Sequence, residues 1–403
     1  MEVLSFVRAA GRGEIESPRS ERPWTGGLRG GGRAIRRIGA LFIATVCVTA
    51  AAQTAGGRRV APSASSRVAP PAQLAQQRGW RVTTAEQIDL WLHGFALLTS
   101  DTGRVPFFAR GYKQQITATK RQRNVYSLLD ANQPELSARF AANPALANAQ
   151  FLAMYFSSLP EIAKATDYFM RSGGDPRAAS DRTVQQQIAL LAANFRSEAD
   201  RKWLQLFVQS LEDEDKKFYH DYWTSEQQAR GAAFAQAVQQ WNSTWYPKLK
   251  RFLNNTQQPS GDVVLSLPLG GEGRTVNNGK ESNIIAVEFP KTVDAAPTAL
   301  FAVVHEAVAS VVESAIRDNT TPAEQRSGAT AGYVGNGAVR GGAILVQRIA
   351  PELVPAYMRY YLATAGITGI AGDPATTFAN TFPLPQAIVD AIGREIDVVL
   401  GGI

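Results

Sequence analysis

Apolar residues recur at helical spacing along most of this chain, and they form a strand pattern in only one stretch. From Thr84 to about Asn254 nearly every segment has a 3.6-residue period. Ile88, Trp91, Leu92 and Phe95 fall on one face of a helix that Thr83-Thr84-Ala85-Glu86 is placed to cap. A second helix is predicted from Leu146 to Leu159, and Pro160 opens a third. The stretch Val184 to Leu211 carries Ile188, Leu191 and Phe195, then Trp203, Leu204 and Phe207. The charged run 212–217 reads as a join or a solvated helix start. The aromatic-rich segments 218–223 and 241–246 read as core.

After Pro259 the pattern changes. Val263 to Leu267 reads as a strand. Gly270, Gly271 and Gly273 follow, then Asn277-Asn278-Gly279, then a second strand over 284–289. No Lys-Ser/Thr helix follows the glycines, so they read as hairpin punctuation and not as a phosphate loop. Helices are predicted over 301–317, near Val334 to Ile349, after Pro351, and from Pro385 to Val399. The expected fold is mostly α (α+β), helical with a small antiparallel or mixed sheet. The expected segments are an extension and signal peptide (1–52), a Pro/Ala/Ser linker (53–80), a helical region (81–258) and a last region (259–403).

Composition changes this picture at the N-terminus. Arg33, Arg36 and Arg37 precede an uncharged apolar run, Ile38 to Ala51, and Ala50-Ala51-Ala52 supplies the small residues of a cleavage site before Gln53. The run is shorter than the ~20 residues of a membrane span, so export is expected, with a tether through 38–51 if the segment stays. The single cysteine, Cys47, lies inside it, which excludes a disulfide scaffold in a cleaved product. The chain is formally +7, but residues 1–52 hold eight of the 42 Lys/Arg and four of the 35 Asp/Glu. The remainder is nearly neutral and has no basic cluster interleaved with aromatics, which argues against a nucleic-acid partner.

The candidate chemistry sits at His305-Glu306, in the apolar helix that follows the 284–289 strand. An H-E-x-x-H helix places two imidazoles one turn apart on one zinc ion while its glutamate activates the bound water. Here the position one turn beyond His305 is Ala309. The order strand, His-Glu helix, short connection, then Gly335-Asn336-Gly337-Ala338 resembles the glutamate-zincin (gluzincin) metallopeptidases over about residues 260–350. The resemblance implies His305 as first metal ligand, Glu306 as general base, and Asn336 at the position of the third ligand, where these enzymes carry glutamate. Two of three ligands would then be absent. Glu313 lies about 12 Å along the helix from His305, and no spacing selects Glu324, Glu352, His93 or His220 as a substitute. His93 and His220 read as packed or surface residues.

An alternative reading needs no zincin history. Glu306, Ser310, Glu313 and Arg317 recur as one polar stripe facing water, with Glu313 and Arg317 as an i,i+4 ion pair. Other chemistries lack their signatures: there is no Gly-x-Ser-x-Gly, and no cysteine outside the leader. Paired carboxylates of a glycosidase would leave no sequential trace. The expectation is therefore an exported, metal-less pseudo-peptidase that binds an extended peptide or an envelope protein, with no cofactor. Its two alternatives are an active zinc peptidase with noncanonical ligands and an unrelated helical structural protein.

Overall fold

The computed structural model describes residues 79–99, 103–277 and 283–401. The leader, Cys47 and nearly all of the linker lie outside these residues, as does Gly279. The described residues belong to one unit, Gln76–Ile403.

The helical region is built from α1 (Glu86–Leu98), α2 (Tyr112–Gln122), α3 (Leu128–Ala142), α4 (Leu159–Arg171), α5 (Arg182–Asn194), α6 (Glu198–Glu214), α7 (His220–Ala229), α8 (Gly231–Gln240) and α9 (Tyr246–Asn255). Residue Ala85 takes the cap position of α1 and no side chain caps it, so Thr83 and Thr84 do not perform that role. Thr83 instead ends a strand. The expected helix from Leu146 to Leu159 is a 3-10 helix, Pro144–Tyr155, which Asn143 starts by accepting a bond from the Ala145 N–H. The Val184–Leu211 stretch is two helices, because Ser197 and Asp200 form a reciprocal capping box that starts α6 afresh. The charged run is a join rather than a helix start, since residues 212–214 close α6. A π-helical turn, Asp215–Tyr219, carries the chain from α6 into α7, and a second one, Trp241–Trp245, joins α8 to α9.

Four strands form one sheet: β1 (Trp80–Thr83), β2 (Gly261–Ser266), β3 (Arg274–Val276) and β4 (Asn283–Glu288), in the order β1-β2-β4-β3. β2 pairs in parallel with both β1 and β4, while β3 is antiparallel to β4. The sheet is thus mixed, and the two strands expected from the sequence are not a hairpin. β1 was not expected at all. Its four residues pair with β2 from the far end of the chain, Trp80 opposite Gly261 and Thr83 opposite Val264.

The chain then forms α10 (Ala296–Asp318), α11 (Pro322–Ser327), α12 (Ala329–Ile349), α13 (Val354–Thr364), α14 (Ala375–Thr381) and α15 (Gln386–Gly401). α10 packs beneath β4 and against α12 and α15. It is long and apolar enough to cross a membrane by composition, but 78% of its most apolar window is buried in the fold. A helix that is apolar all round is a core helix when other elements surround it. Close approach to α12 depends on glycine: a Cβ at Gly337 would lie 2.7 Å from Val312, and one at Gly341 2.5 Å from the same side chain.

Candidate functional site

His305 and Glu306 lie mid-way along α10 and are both buried, at 5% and 8% exposure. The Glu306 carboxylate faces β3, the edge strand, and not open solvent. Its Oε1 accepts the Gly273 N–H at 3.2 Å and lies 3.1 Å from His305 Nδ1. Its Oε2 accepts the Thr275 hydroxyl at 2.9 Å. Burial pushes this carboxyl up, but the hydrogen bond and charge of His305, the charge of Arg274 and the Thr275 hydroxyl outweigh burial and hold it below the usual glutamate range. Arg274 itself pairs with Glu272 at 2.9 Å and lies 3.8 Å from the centre of the Phe107 ring.

One glycine of the cluster before β3 has its explanation here. A Cβ at Gly273 would sit 2.6 Å from the Ala286 carbonyl oxygen and 2.8 Å from Glu306 Cγ. Only glycine lets the strand come close enough to cradle the carboxylate. Hairpin punctuation between β2 and β4 is therefore corrected: the segment is the seat of Glu306.

The His305 ring stacks on Tyr361 of α13, with centroids 5.7 Å apart and planes at 29°. Burial, together with the nearby Tyr357, Tyr360 and Glu306, pushes the Tyr361 phenol well above its ordinary range. Among the described residues, hydrogen bonding to His305 uses Nδ1 alone.

The other residues singled out in the sequence go elsewhere. Ala309 is half-buried one turn on and presents a methyl group. The Asn336 amide donates to the Pro383 carbonyl at 3.0 Å. Its neighbour Gly337 packs at Val312 and Ile316, which places Asn336 about 10–16 Å along α10 from His305. Glu324 caps α11 through Thr321, Glu352 pairs with Lys248 at 2.8 Å, and His220 pairs with Glu86 at 2.8 Å. The water-facing stripe is half right: Ser310 and Arg317 are exposed, Glu313 is half-buried and Glu306 is inside. Arg317 approaches Asp318 at 3.7 Å and Ser314 at 3.1 Å, and burial raises the Glu313 carboxyl.

These residues do not fit a catalytic zinc site. Tetrahedral zinc takes three protein ligands with a fourth place for water. Beside His305 stand a carboxylate whose two oxygens are already engaged and an alanine, and the Asn336 amide is committed to Pro383. Among the described residues, no three His, Cys, Asp or Glu side chains group as a donor set.

A second histidine–glutamate pair escaped the sequence reading. His93 of α1 is fully buried, with Nε2 3.1 Å from Glu214 Oε1 and Nδ1 2.9 Å from the Tyr112 hydroxyl. Glu214 also accepts from Lys120 Nζ at 2.7 Å and from the Ser127 hydroxyl, and Lys120 reaches Asp130 at 2.5 Å. Burial pushes Glu214 up, yet the hydrogen bonds and charges of His93 and Lys120 hold it at about 2. Close by on α1, Asp89 Oδ2 accepts from Trp223 Nε1 at 3.0 Å and from the Leu267 N–H at 3.3 Å. Burial dominates there and raises its carboxyl to about 7, against Ser266, Leu267, Trp223 and Arg230. The only trace in the sequence was a histidine set between Trp91 and Phe95.

Comparison with protein-family models, with curated proteins and with solved structures finds no match.

Proposed function

We propose that this chain is an exported, zincin-like protein without a catalytic metal, acting in the cell envelope as a binding or scaffold protein. One observation carries the reading: both oxygens of Glu306, the residue that would serve as general base, are engaged in joining α10 to β3. A base must be free to take a proton from bound water. Glu306 is instead an acceptor for the Gly273 N–H and the Thr275 hydroxyl. The strand-before-helix order and the His305-Glu306 pair support the zincin-like part of the proposal.

An extended peptide remains the favoured partner, and the sheet restricts where it would add. Ile284 to Ala286 of β4 are paired on both sides, so strand addition is available only at the outer strands β1 and β3.

The test combines metal analysis of the purified protein, a peptide-cleavage assay and Glu306→Gln. The proposal expects substoichiometric zinc, no chelator-sensitive cleavage and an unchanged binding profile in Glu306→Gln. Stoichiometric zinc with cleavage that Glu306→Gln abolishes would replace it with the active zinc-peptidase reading.

A further inference from the structure

A groove away from His305, between α12, α13, α14 and α15, measures about 740 Å³. That is within the range of small-molecule sites. Its floor is apolar, with Ile344, Met358 and Phe378 among the lining residues, and its charged residues are Arg340, Arg394, an Arg348–Asp397 pair at 2.7 Å and Asp390, which accepts from the Gln386 amide at 2.7 Å, so the arginines leave a net positive charge.

Two features of this groove have no account within the fold. Arg340 is half-buried yet has no carboxylate within ion-pair distance among the described residues. Its guanidinium lies 5.9 Å from the centre of the Phe378 ring, and its nearest hydrogen-bond partner is the Phe382 carbonyl at 3.5 Å. Burial lowers its pKa, the sign of a charge that its surroundings do not answer. Arg394, exposed on α15, has neither an ion pair nor a hydrogen bond among the described residues. The second feature is Gly393, inside α15 and lining the groove. A Cβ there would meet nothing within 4 Å, so no packing demand explains a residue that costs a helix about 1 kcal/mol relative to alanine. It leaves bare backbone on the groove wall.

The two cations stand close together along the helices. A Cβ at Gly341 of α12 would contact Ile392 of α15 at 3.3 Å, and Arg348 pairs with Asp397 further along, so the two helices run the same way. Arg340 and Arg394 are then offset by about 4–8 Å along the axes. Two guanidinium groups lining one groove suit a carboxylate, which each can grip with charge-assisted hydrogen bonds.

We propose that this groove binds a small carboxylate amphiphile, the head held between Arg340 and Arg394 and the alkyl body laid along Ile344, Met358 and Phe378 past Gly393. The site is independent of the His305–Glu306 reading and stands or falls without it.

Calorimetric titration of the full chain with decanoate tests it, with decyltrimethylammonium as the same body under the opposite charge. Decanoate is expected to bind saturably, one per chain, and the ammonium compound not to. Arg394→Glu reverses an exposed charge, and Gly393→Phe fills the groove from a position with free space. Each should weaken decanoate binding about tenfold or more while leaving the thermal midpoint within about 2 °C of the parent. Equal binding of the ammonium compound, or unaltered affinity in Arg394→Glu, would overturn the anion assignment. Absence of saturable decanoate binding, or unaltered affinity in Gly393→Phe, would overturn the site.

Discussion

The molecule contains two buried histidine–glutamate pairs, and they are built on opposite plans. His305 and Glu306 are neighbours in the chain, and the glutamate spends its oxygens on β3. His93 and Glu214 come from α1 and α6, and the glutamate answers a histidine, a lysine and a serine together. The first pair joins two elements. The second neutralises a buried charge cluster where helices meet. Adjacent residues made the first pair conspicuous, yet the residues that converge in space carry the larger electrostatic commitment.

That contrast is sharpest under substitution. Glu214→Ala strands the Lys120 ammonium, only 4% exposed, with no more than the half-covered Asp130 to answer it. Removing one partner from a buried pair costs about 3–5 kcal/mol, to be read from urea denaturation. Replacing both charges, as in Lys120→Met with Glu214→Leu, should recover most of that loss. A single variant costing under ~1 kcal/mol would mean the cluster is not a stability element.

The pH response separates Glu214 from Asp89. Glu214 falls from its ordinary 4.5 to about 2 on folding, so it contributes stability above pH 4.5 that is lost as pH drops toward 2. Asp89 rises from 3.8 to about 7, so its folded form holds the proton more tightly. Its contribution is greatest below pH 3.8 and is lost as pH climbs through about 7, by an amount on the order of a few kcal/mol. Thermal midpoints between pH 5 and 8 should fall in the parent and stay flatter in Asp89→Asn. A parallel fall in both would remove Asp89 as the cause.

Smaller effects are expected at the other pair. Gly273→Ala forces a methyl against the Ala286 carbonyl and Glu306, at a cost of about 1–3 kcal/mol. A double-mutant cycle with Glu306→Ala should show coupling, since the two sites touch. Glu306→Gln retains an acceptor for the Gly273 N–H and should cost less than about 1 kcal/mol. A large loss there would mean the negative charge, rather than the hydrogen bonds, holds β3 in place.

How much of this was legible depended on distance along the chain. α10 and β4 were readable because each is a long apolar run, complete in itself. The split at Ser197 was written locally as Ser197–Asp200, but the apolar period on either side masked it. β1 was unreadable: its four residues become a strand only against β2, about 180 positions later. The seat of Glu306 was visible only as part of a glycine cluster, and the reason for glycine at Gly273 lies in the Ala286 carbonyl and a glutamate from other elements. The cluster around His93 draws on α1, α2, α3 and α6, and no spacing rule connects them.

The pairing of β1 with β2 also sets an order of events during synthesis. Trp80 to Thr83 leave the ribosome early and have no sheet partner until Gly261 to Ser266 have followed, and β4 completes the parallel core later still. The intervening helices, whose contacts are more local, can assemble while that edge waits, because closing so long a loop is entropically costly and slow. Until it closes, an unpaired strand headed by a bulky aromatic stays exposed, so the nascent chain is most vulnerable to aggregation during translation of this helical middle.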